Sequence, residues 1–486
     1  MARKKITLLH SNDMHGDFLP KEINGISTGG LSRLSAYIKK TRSEEKNTIY
    51  SIAGDMFRGS IIDSEYMGLS TIELINVLEP DIATIGNHEV DYGLAHLLFL
   101  EKCATFPIIN ANMFVTMNNA RLFTPFYNIE VDGIRILFIG ILTEEVLAST
   151  KQEKIIGTFV DIEEAAKEIG IICDNYRTKN TDITVLLTHI GIEEDRKLAS
   201  LLSKDFGVNM IIGGHSHTLM DEMEIVNDIP IVQAGTGTGI IGRFDILYDT
   251  WSKKIVKLDW RCDEINEHTI GNDDVMDQIL SHYQHQTDIK YKRIVSHLQR
   301  ELTHPARNQE TEMGNLYADM LQDESSFDIM FMGSGSIRKQ SIGPIIDYQT
   351  LIENTPFDDS LWMVKVRGDQ LRRMIQFILR DEAWEGHTEF YQFSKGFKIT
   401  YRKSTHTIEK LQLNGKDIHD GESYLIALQN YHYVNFDEFL GVPLEEVKSN
   451  MKPKVIATSV NNIFEEYLAT HHGLDAHVEG RIEIIE

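Results

Sequence analysis

The chain has 486 residues, of which 42% are hydrophobic and 25% are charged, as in an ordinary globular protein. This composition excludes disordered, collagenous and coiled-coil proteins, and the length suggests two or three domains. The formal net charge of −25 argues against binding to a nucleic-acid polymer or to an anionic membrane surface.

The cysteines and the apolar runs predict a cytoplasmic protein. Cys103, Cys173 and Cys262 are odd in number, widely spaced and outside any CxxC pattern, so neither a disulfide framework nor a thiolate metal site is indicated. The apolar run near the start of the chain is too short for a signal peptide, and no stretch approaches the about 18 apolar residues of a membrane span. A reducing compartment fits best.

The first half of the chain alternates short aliphatic or β-branched runs with helix-like segments, which predicts an α/β sandwich with strands buried on both faces. The predicted strands are Ile6–Leu9, Thr48–Ala53, Asp81–Ile85, Ile134–Ile141, Asp182–Leu187 and Asn209–Ile212. A long polar helix follows, and the rest of the chain has strand and helix patterns of its own. We predict a first domain over 1–272, a linker helix over 273–295 and a second, α+β domain over 296–486.

Potential metal ligands and acid–base groups gather where five of these runs end. The residues are Asp13, His15, Asp55, Asn87, His88, His189, His215 and His217. Mn²⁺, Fe²⁺ and Zn²⁺ accept this mixture of carboxylate, imidazole and amide ligands. Asp55 can bridge two ions about 3.5–4 Å apart, the arrangement used for phosphoryl displacement. Any one of these residues alone could be a strand-end or helix-cap residue, but five coincidences predict a two-metal hydrolase.

Several of these residues stand in blocks that resemble a known family. Asp13-Met-His15, Gly54-Asp55, Gly86-Asn-His-Glu89, Thr188-His189 and Gly214-His-Ser-His217 look like the ordered blocks of calcineurin-like metallophosphoesterases. The forms His-Ser-Asn-Asp-Met-His-Gly at 10–16 and Gly-Asn-His-Glu-Val-Asp at 86–91 are most similar to the two-domain 5′-nucleotidases, of the UDP-sugar hydrolase/5′-nucleotidase type. The resemblance implies a four-layer α/β/β/α N-terminal sandwich and a C-terminal α+β nucleotide-binding domain.

The resemblance also implies roles in the first domain. Asp13, His15 and His217 would bind one metal ion, Asn87, His189 and His215 would bind a second, and Asp55 would bridge the two. His88 would act on the phosphate, with Asp91 orienting it, although Asp91 could instead cap the helix that begins near Leu94. His217 stands where many two-domain nucleotidases have Gln, so the identity of the two divalent ions (Mn, Zn, Co or Fe) stays open.

In the second domain the resemblance implies a nucleotide pocket. Arg307, ahead of Met313-Gly-Asn-Leu316, and Arg338, in Gly335-Ser-Ile-Arg338, would contact phosphate or ribose. Thr355-Pro-Phe357 and the segment from Asn430-Tyr431 to Asp437 look like two further substrate-binding loops, with Phe357 and Tyr431 enclosing the base. Core packing is the alternative for these two aromatic residues, and a surface ion pair is the alternative for each Arg.

The pocket also departs from the family. Gly333, Ser334 and Ser336 replace the usual residues of the first loop, and Asn435-Phe-Asp-Glu438 replaces a Gly-Gly-Asp-Gly turn, so we expect a changed backbone at the base pocket. Gly237-Thr-Gly-Ile-Ile-Gly242 matches GxGxxG, but the following segment is predicted as a strand. A dinucleotide fingerprint requires a helix there.

We therefore expect a metal-dependent phosphohydrolase, a 5′-nucleotidase that hydrolyses nucleoside 5′-monophosphates by attack of a water activated by two metal ions. The expected partner is a small-molecule nucleotide, with no nucleic-acid polymer and no membrane. A cyclic-nucleotide phosphodiesterase or nucleotide-sugar pyrophosphatase is the alternative within the enzyme class. A non-catalytic nucleotide-binding sensor is the alternative outside it.

Overall fold

The computed structural model describes residues 3–115, 120–143, 161–177, 181–384 and 388–485, in two compact units, Met1–Thr287 and Asp288–Glu486. The boundary between the units falls inside the helix Asp274–Tyr291. Met276 and Leu280 of this helix are buried in the core of the first unit. The first part of the segment predicted as a linker helix is therefore an element of the first unit.

The first unit contains two six-stranded sheets, each with parallel strands at its centre. The first sheet has the strand order Lys254–Glu264, Ile240–Asp249, Arg3–Ser11, Thr48–Ala53, Ile82–Thr84 and Ile108–Ile109. The second has the order Glu224–Val226, Ile229–Val232, Met210–Ile212, Ile183–His189, Ile134–Leu142 and Phe126–Val131. The last four strands of the first sheet are parallel to one another, as are the middle four of the second.

The sheets pack face to face between two layers of helices. Phe138 of the second sheet and Phe244 of the first are fully buried in the core between them. The other face of each sheet packs on helices, with Leu34 buried on the first and Ile169 on the second. The helices of this unit are Leu31–Glu44, Ile61–Glu65, Leu69–Leu78, Leu94–Cys103, Ile162–Arg177, Ile192–Leu201 and most of Asp274–Tyr291, with 3₁₀ turns His88–Val90 and Lys204–Phe206. A hairpin pairs Lys21–Ile23 with Ile26–Thr28. This architecture confirms the four-layer α/β/β/α sandwich.

The second unit is an α+β domain built on a mixed five-stranded sheet. Its strand order is Tyr391–Phe393, Ile329–Gly333, Ser423–Gln429, Leu361–Arg367 and Lys454–Ala457. A smaller sheet has the order Lys416–Asp417, Thr407–Leu413, Phe397–Arg402 and Ile482–Ile485, and two short pairs join Ile294–His297 to Ile345–Asp347 and Leu302–Thr303 to Ser341–Ile342. The helices are Glu312–Asp323, Tyr348–Asn354, Gly368–Ile378, Asp381–Trp384, Asn430–Val434, Phe436–Leu440, Leu444–Lys448 and Val460–Thr470, with a 3₁₀ turn Ser334–Ser336.

Two helices of this unit, Glu312–Asp323 and Tyr348–Asn354, begin after a residue whose side chain satisfies a free backbone N–H. The Thr311 hydroxyl accepts from Gly314 N at 3.0 Å, and the Asp347 carboxylate accepts from Thr350 N at 2.7 Å. The two faces of the five-stranded sheet pack on different helices, burying Leu371 on one side and Phe464 on the other. The fold therefore has a core on each side of this sheet.

The strands predicted in the first half of the chain are confirmed, with bounds shifted by one to three residues at most ends. His189 is the last residue of its strand rather than part of the loop after it. The GxGxxG segment leads into the strand Ile240–Asp249, which confirms that no helix follows it. Within the described ranges, no helix is long and apolar enough to cross a membrane.

Candidate metal centre

The predicted metal ligands lie at the carboxyl ends of parallel strands. Three of these strands belong to the first sheet and two to the second. Parallel strands present their carboxyl ends at one edge of a sheet, so the loops that follow them meet there. The strand ends and loops carry Asp13, His15, Asp55, Asn87, His189, His215 and His217.

Five of these seven residues have left-handed backbone conformations. The φ angles are 51° for Asp13, 48° for His15, 51° for Asp55, 79° for His215 and 52° for His217. A residue other than Gly in this region costs about 1–3 kcal/mol, and such strain persists only where the surrounding structure imposes it. The surrounding structure therefore holds these five residues in a strained backbone conformation, which fixes the direction of their side chains.

One group of ligand atoms comes from Asp13, His15 and His217. The Nε2 atoms of the two imidazoles face each other at 2.9 Å, and His217 Nε2 lies 3.4 Å from Asp13 Oδ1. Asp13 is fully buried, and Asn12 Nδ2 donates to its Oδ2 at 2.7 Å. Two imidazole nitrogens and a carboxylate oxygen thus converge on one point.

A second group comes from Asp55, His189 and His215, with Asn87 beside them. His189 Nδ1 lies 2.8 Å from the Ala53 carbonyl oxygen, so Nδ1 carries the proton and Nε2 is left as the ligand atom. His189 Nε2 is buried, lies 3.1 Å from Asp55 Oδ2, and has no hydrogen-bond partner among the described residues. His215 Nδ1 lies 2.7 Å from Asn87 Oδ1.

Asp55 lies between the two groups. Its Oδ2 is 3.1 Å from His189 Nε2 and 3.8 Å from His15 Nε2. Burial disfavours charge on both His189 and Asp55, but their mutual attraction outweighs burial, so the pKa of His189 is raised and that of Asp55 is lowered. A cation bound here would displace the proton from His189 Nε2. Buried carboxylates, imidazoles and an orphaned imidazole nitrogen fit a pair of divalent cations.

His88 and Asp91 form a hydrogen-bonded pair beside these groups. His88 Nδ1 lies 2.7 Å from Asp91 Oδ2, and this bond raises the pKa of His88 against the effect of burial. A ring nitrogen of His88 lies within 4.8 Å of ligand atoms of His15 and Asp55. The helix Leu94–Cys103 has Gly93 at its N-cap and no side-chain cap, so the alternative role of Asp91 as a cap is wrong.

Glu89 is a buried site residue whose role the sequence reasoning missed. Its carboxylate accepts from Asp55 N at 3.0 Å and from Met56 N at 2.6 Å, which holds the loop of the bridging residue. Burial and the nearby Asp55 charge raise the pKa of Glu89 to about 7. Its place in the sequence, directly after Gly86-Asn-His88, could have indicated that Glu89 belongs to the site.

A second buried network, also missed, supports the loop of His215 and His217. Asp195 accepts from the Thr188 hydroxyl at 2.6 Å and from Gln233 Nε2 at 3.2 Å. Gln233 Oε1 in turn accepts from the Ser216 hydroxyl at 2.9 Å. Burial raises the pKa of Asp195 to about 7. Nothing in the local sequence distinguishes Asp195 from the other acidic residues of its helix.

In the second unit, the predicted aromatic pair lies on a loop and on a short helix that are joined by a hydrogen bond. Phe357 is 52% exposed and Tyr431, in the helix Asn430–Val434, is 57% exposed, so neither packs in the core. Tyr431 N donates to Asp359 Oδ2 at 2.7 Å, which links this helix to the loop that follows Phe357. The guanidinium of Arg338 lies 5.5 Å from the centre of the Phe357 ring.

Arg307 and Asp437 have different surroundings. Arg307 is exposed, and its charge acts on Glu389, whose carboxylate accepts from Gly335 N at 2.9 Å. Burial raises the pKa of Glu389, while the Gly335 hydrogen bond and Arg307 oppose this effect. Asp437 is exposed and accepts from Leu444 N at 2.6 Å, and no contact between it and the aromatic pair is found among the described residues.

The departures predicted at this pocket have a structural basis. A Cβ at Gly333 would lie 2.2 Å from His432 Nε2, so a larger residue does not fit against this imidazole. The segment that replaces the Gly-Gly-Asp-Gly turn forms the helix Phe436–Leu440, and Phe436 is buried in the core. This segment is therefore a helical turn packed against the core, where the family has a glycine-rich turn.

Comparisons with known proteins agree with this fold. Residues 6–219 match the family model for calcineurin-like phosphoesterases, and residues 291–441 match that for the C-terminal domain of 5′-nucleotidases. The trifunctional nucleotide phosphoesterase protein YfkN of Bacillus subtilis is 25% identical and covers 88% of the chain, which spans only 31% of that protein's length. Protein UshA of Yersinia enterocolitica is 23% identical, with coverage of 97% of this chain and 92% of its own.

A solved structure shares the same fold over its whole length. The 5′-nucleotidase precursor of Thermus thermophilus superposes with a TM-score of 0.63 at 22% identity, covering 99% of this chain and 100% of the other. The four-layer sandwich with its Asp/His cluster defines the first unit as a calcineurin-like phosphoesterase domain, a class that uses a dinuclear metal centre. The second unit matches the C-terminal domain of 5′-nucleotidases, so the chain joins a calcineurin-like phosphoesterase domain to a 5′-nucleotidase C-terminal domain.

Proposed function

We propose that this chain is a metal-dependent phosphohydrolase that converts nucleoside 5′-monophosphates to nucleoside and phosphate. The observation that carries the proposal is the position of Asp55 between two groups of ligand atoms, directly beside the His88–Asp91 pair. A nucleotidase C-terminal domain in the same chain supports a nucleotide as the substrate.

Asp13, His15 and His217 would hold one divalent cation, Asn87, His189 and His215 would hold the other, and Asp55 would bridge them. When bound, such a pair polarises phosphoryl oxygens and lowers the pKa of a water molecule. Mn, Zn, Co and Fe all accept this ligand set. His88 would stabilise charge on the phosphoryl group or protonate the leaving oxygen, and Asp91 would hold the imidazole in one tautomer.

The residues of the second unit would supply selectivity for nucleotides. Arg307 and Arg338 would bind phosphate or ribose, Phe357 and Tyr431 would stack on the base, and Asp437 would belong to the same substrate-binding segment as Tyr431. The exposure of both aromatic rings and the Arg338–Phe357 contact support this arrangement.

Hydrolysis of diesters or pyrophosphates, in cyclic nucleotides or nucleotide sugars, is a second candidate. The helical segment Phe436–Leu440 favours it, because this segment reshapes the loop that would enclose the base.

A cytoplasmic location is also proposed, supported by three cysteines that form no disulfide, and cell fractionation tests it.

The test is phosphate release by metal-stripped protein after separate addition of Mn²⁺, Zn²⁺, Co²⁺ or Fe²⁺. The substrates are nucleoside monophosphates, cyclic nucleotides and nucleotide sugars, with an added phosphatase that reveals diester cleavage. Release from monophosphates that is lost in Asp55→Asn and His88→Asn, and retained in the exposed control His268→Asn, supports the proposal. Turnover of diesters alone favours the second candidate, and nucleotide binding without turnover would identify a sensor.

A further inference from the structure

Asp91 is held from two sides by hydrogen bonds. Its Oδ2 atom lies 2.7 Å from His88 Nδ1 and also accepts from Arg58 Nε at 2.8 Å. Arg58 belongs to the loop that follows the strand Thr48–Ala53 and carries Asp55. One carboxylate oxygen thus joins the predicted catalytic histidine to an arginine from another loop.

The loop that carries Arg58 is itself fixed in place. Asp63 is fully buried, and its Oδ2 accepts both from Arg58 N at 2.9 Å and from the Tyr92 hydroxyl at 2.6 Å. The Arg58 guanidinium lies 5.5 Å from the centre of the Tyr92 ring, within the range of a cation–π contact. Tyr92 directly follows Asp91 in the chain, so both ends of the Arg58–Asp91 contact are anchored to Asp63.

The backbone of the loop also passes close to the loop that carries His15. Arg58 has a φ of 68°, and the next residue, Gly59, has a φ of 140°. A Cβ at Gly59 would lie 2.2 Å from the carbonyl oxygen of His15. The Arg58 backbone is therefore set by contacts on both sides, one with the ligand loop and one with Asp63.

We propose that Arg58 is a positioning residue that holds Asp91, and through it turns the Nε2 atom of His88 toward the two groups of ligand atoms. The inference rests on the proposed function of His88. An ion pair between flexible surface side chains contributes little to stability. The Arg58–Asp91 pair differs, because Arg58 N and the Tyr92 hydroxyl share Asp63 as acceptor and the Arg58 guanidinium lies against the Tyr92 ring. The Asp91 side chain is only 19% exposed.

The first test compares Arg58→Ala and Arg58→Lys with the wild type. For Arg58→Ala we expect kcat to fall about 10-fold, the lower end of the effect of removing an outer-shell partner, with KM and metal content unchanged. Arg58→Lys restores part of kcat, since it keeps a charged donor. Arg135→Ala is the matched control, because Arg135 is 50% exposed and pairs with Glu130 at 3.2 Å outside the site.

The second test is a double-mutant cycle with Asp91→Ala. If Arg58 acts through Asp91, Arg58→Ala has no further effect on kcat in the Asp91→Ala background. An equal loss in both backgrounds, or a rise in KM alone, would overturn the proposal in favour of direct substrate contact.

The third test does not depend on activity. Crystal structures of the wild type and of Arg58→Ala, both loaded with Mn²⁺, give the orientation of the His88 ring. We expect a rotated or divided imidazole in the variant, and an unchanged ring would overturn the proposal. If the wild type hydrolyses no nucleotide, the proposed function fails, but this comparison still decides the role of Arg58.

Discussion

Glycine permits the close approach of the loops that carry the two groups of ligand atoms. A Cβ at Gly86 would lie 2.2 Å from Asp55 Oδ1 and 2.5 Å from Asp55 N. Asp55 N is a backbone atom, and Oδ1 is held by a hydrogen bond from His88 N at 2.9 Å, so the Asp55 loop would have to move. The Asp55 carboxylate therefore keeps its position only while residue 86 has no side chain.

Gly86→Ala should displace Asp55 and lower both metal content and phosphate release by about 10–100-fold. Metal content by elemental analysis and phosphate release by colorimetric assay provide the measurements. Gly271→Ala is the control, since an added Cβ there would meet nothing within 4 Å. Full metal content in Gly86→Ala would show that the loop adapts.

His10 predicts a pH dependence of stability. It is fully buried, its Nε2 accepts from Trp260 Nε1 at 2.9 Å, and burial lowers its pKa to about 3. In the unfolded chain this imidazole is protonated below about pH 6.5. In the folded chain it stays neutral until about pH 3. The free energy of unfolding should therefore fall, as pH decreases through this window, by about 1.4 kcal/mol per pH unit from His10 alone.

His10→Gln keeps an acceptor near the position of Nε2 for Trp260 but does not titrate. The free energy of unfolding, from urea titrations followed by tryptophan fluorescence between pH 6.5 and 4, should fall less steeply in the variant, by about 1.4 kcal/mol per pH unit. Identical slopes for wild type and His10→Gln would contradict the assignment of a neutral, buried imidazole.

At the level of elements, the loop of Phe357 and the short helix of Tyr431 can be changed at the aromatic side chains without loss of stability. Both rings are more than half exposed, so their removal leaves the cores of the second unit intact. Loss of a stacking partner costs about 1–3 kcal/mol per base, which corresponds to a KM about 5- to 140-fold higher for nucleoside monophosphates.

Phe357→Ala and Tyr431→Ala should therefore raise KM while the melting temperature stays unchanged. Val434→Ala is the matched control, because Val434 is 59% exposed on the same short helix as Tyr431. A lowered melting temperature with unchanged KM would favour a packing role for the aromatic residues instead.

Strands and strand ends were predictable because apolar runs and the residues after them are local in sequence. The run Thr48–Ala53 and the convergence of Asp13, Asp55 and His215 on one edge follow from this pattern. The Arg58–Asp91 bond and the Asp195–Gln233 network were not predictable, because their partners are 33 and 38 residues apart and nothing local marks either one. The helix Phe436–Leu440 likewise depends on burial of Phe436 against distant residues.

At the scale of the whole molecule, the boundary between the two units depends on which side chains of the helix Asp274–Tyr291 are buried, and the composition of this helix does not reveal that. The sequence pattern places the end of the first domain at residue 272, before a helix with many polar residues. In the structure Met276 and Leu280 of this helix lie in the core of the first unit, with 0% and 5% of their surfaces exposed. Asp273 also contacts Ser35 and Lys39 of the helix Leu31–Glu44.

A fragment of residues 1–291 should therefore be more stable than a fragment of residues 1–272. Burial of Met276 and Leu280 contributes about 1.5–3 kcal/mol for each side chain, which the shorter fragment loses. Thermal unfolding followed by circular dichroism should give a lower melting temperature for 1–272, and Met276→Ala with Leu280→Ala in the longer fragment should reproduce most of the difference. Equal melting temperatures for the two fragments would mean that the helix is a linker after all. The longer fragment should still bind metal ions and hydrolyse an aryl phosphate monoester, but should lose its preference for nucleotides, because every residue proposed to bind nucleotide lies beyond residue 291.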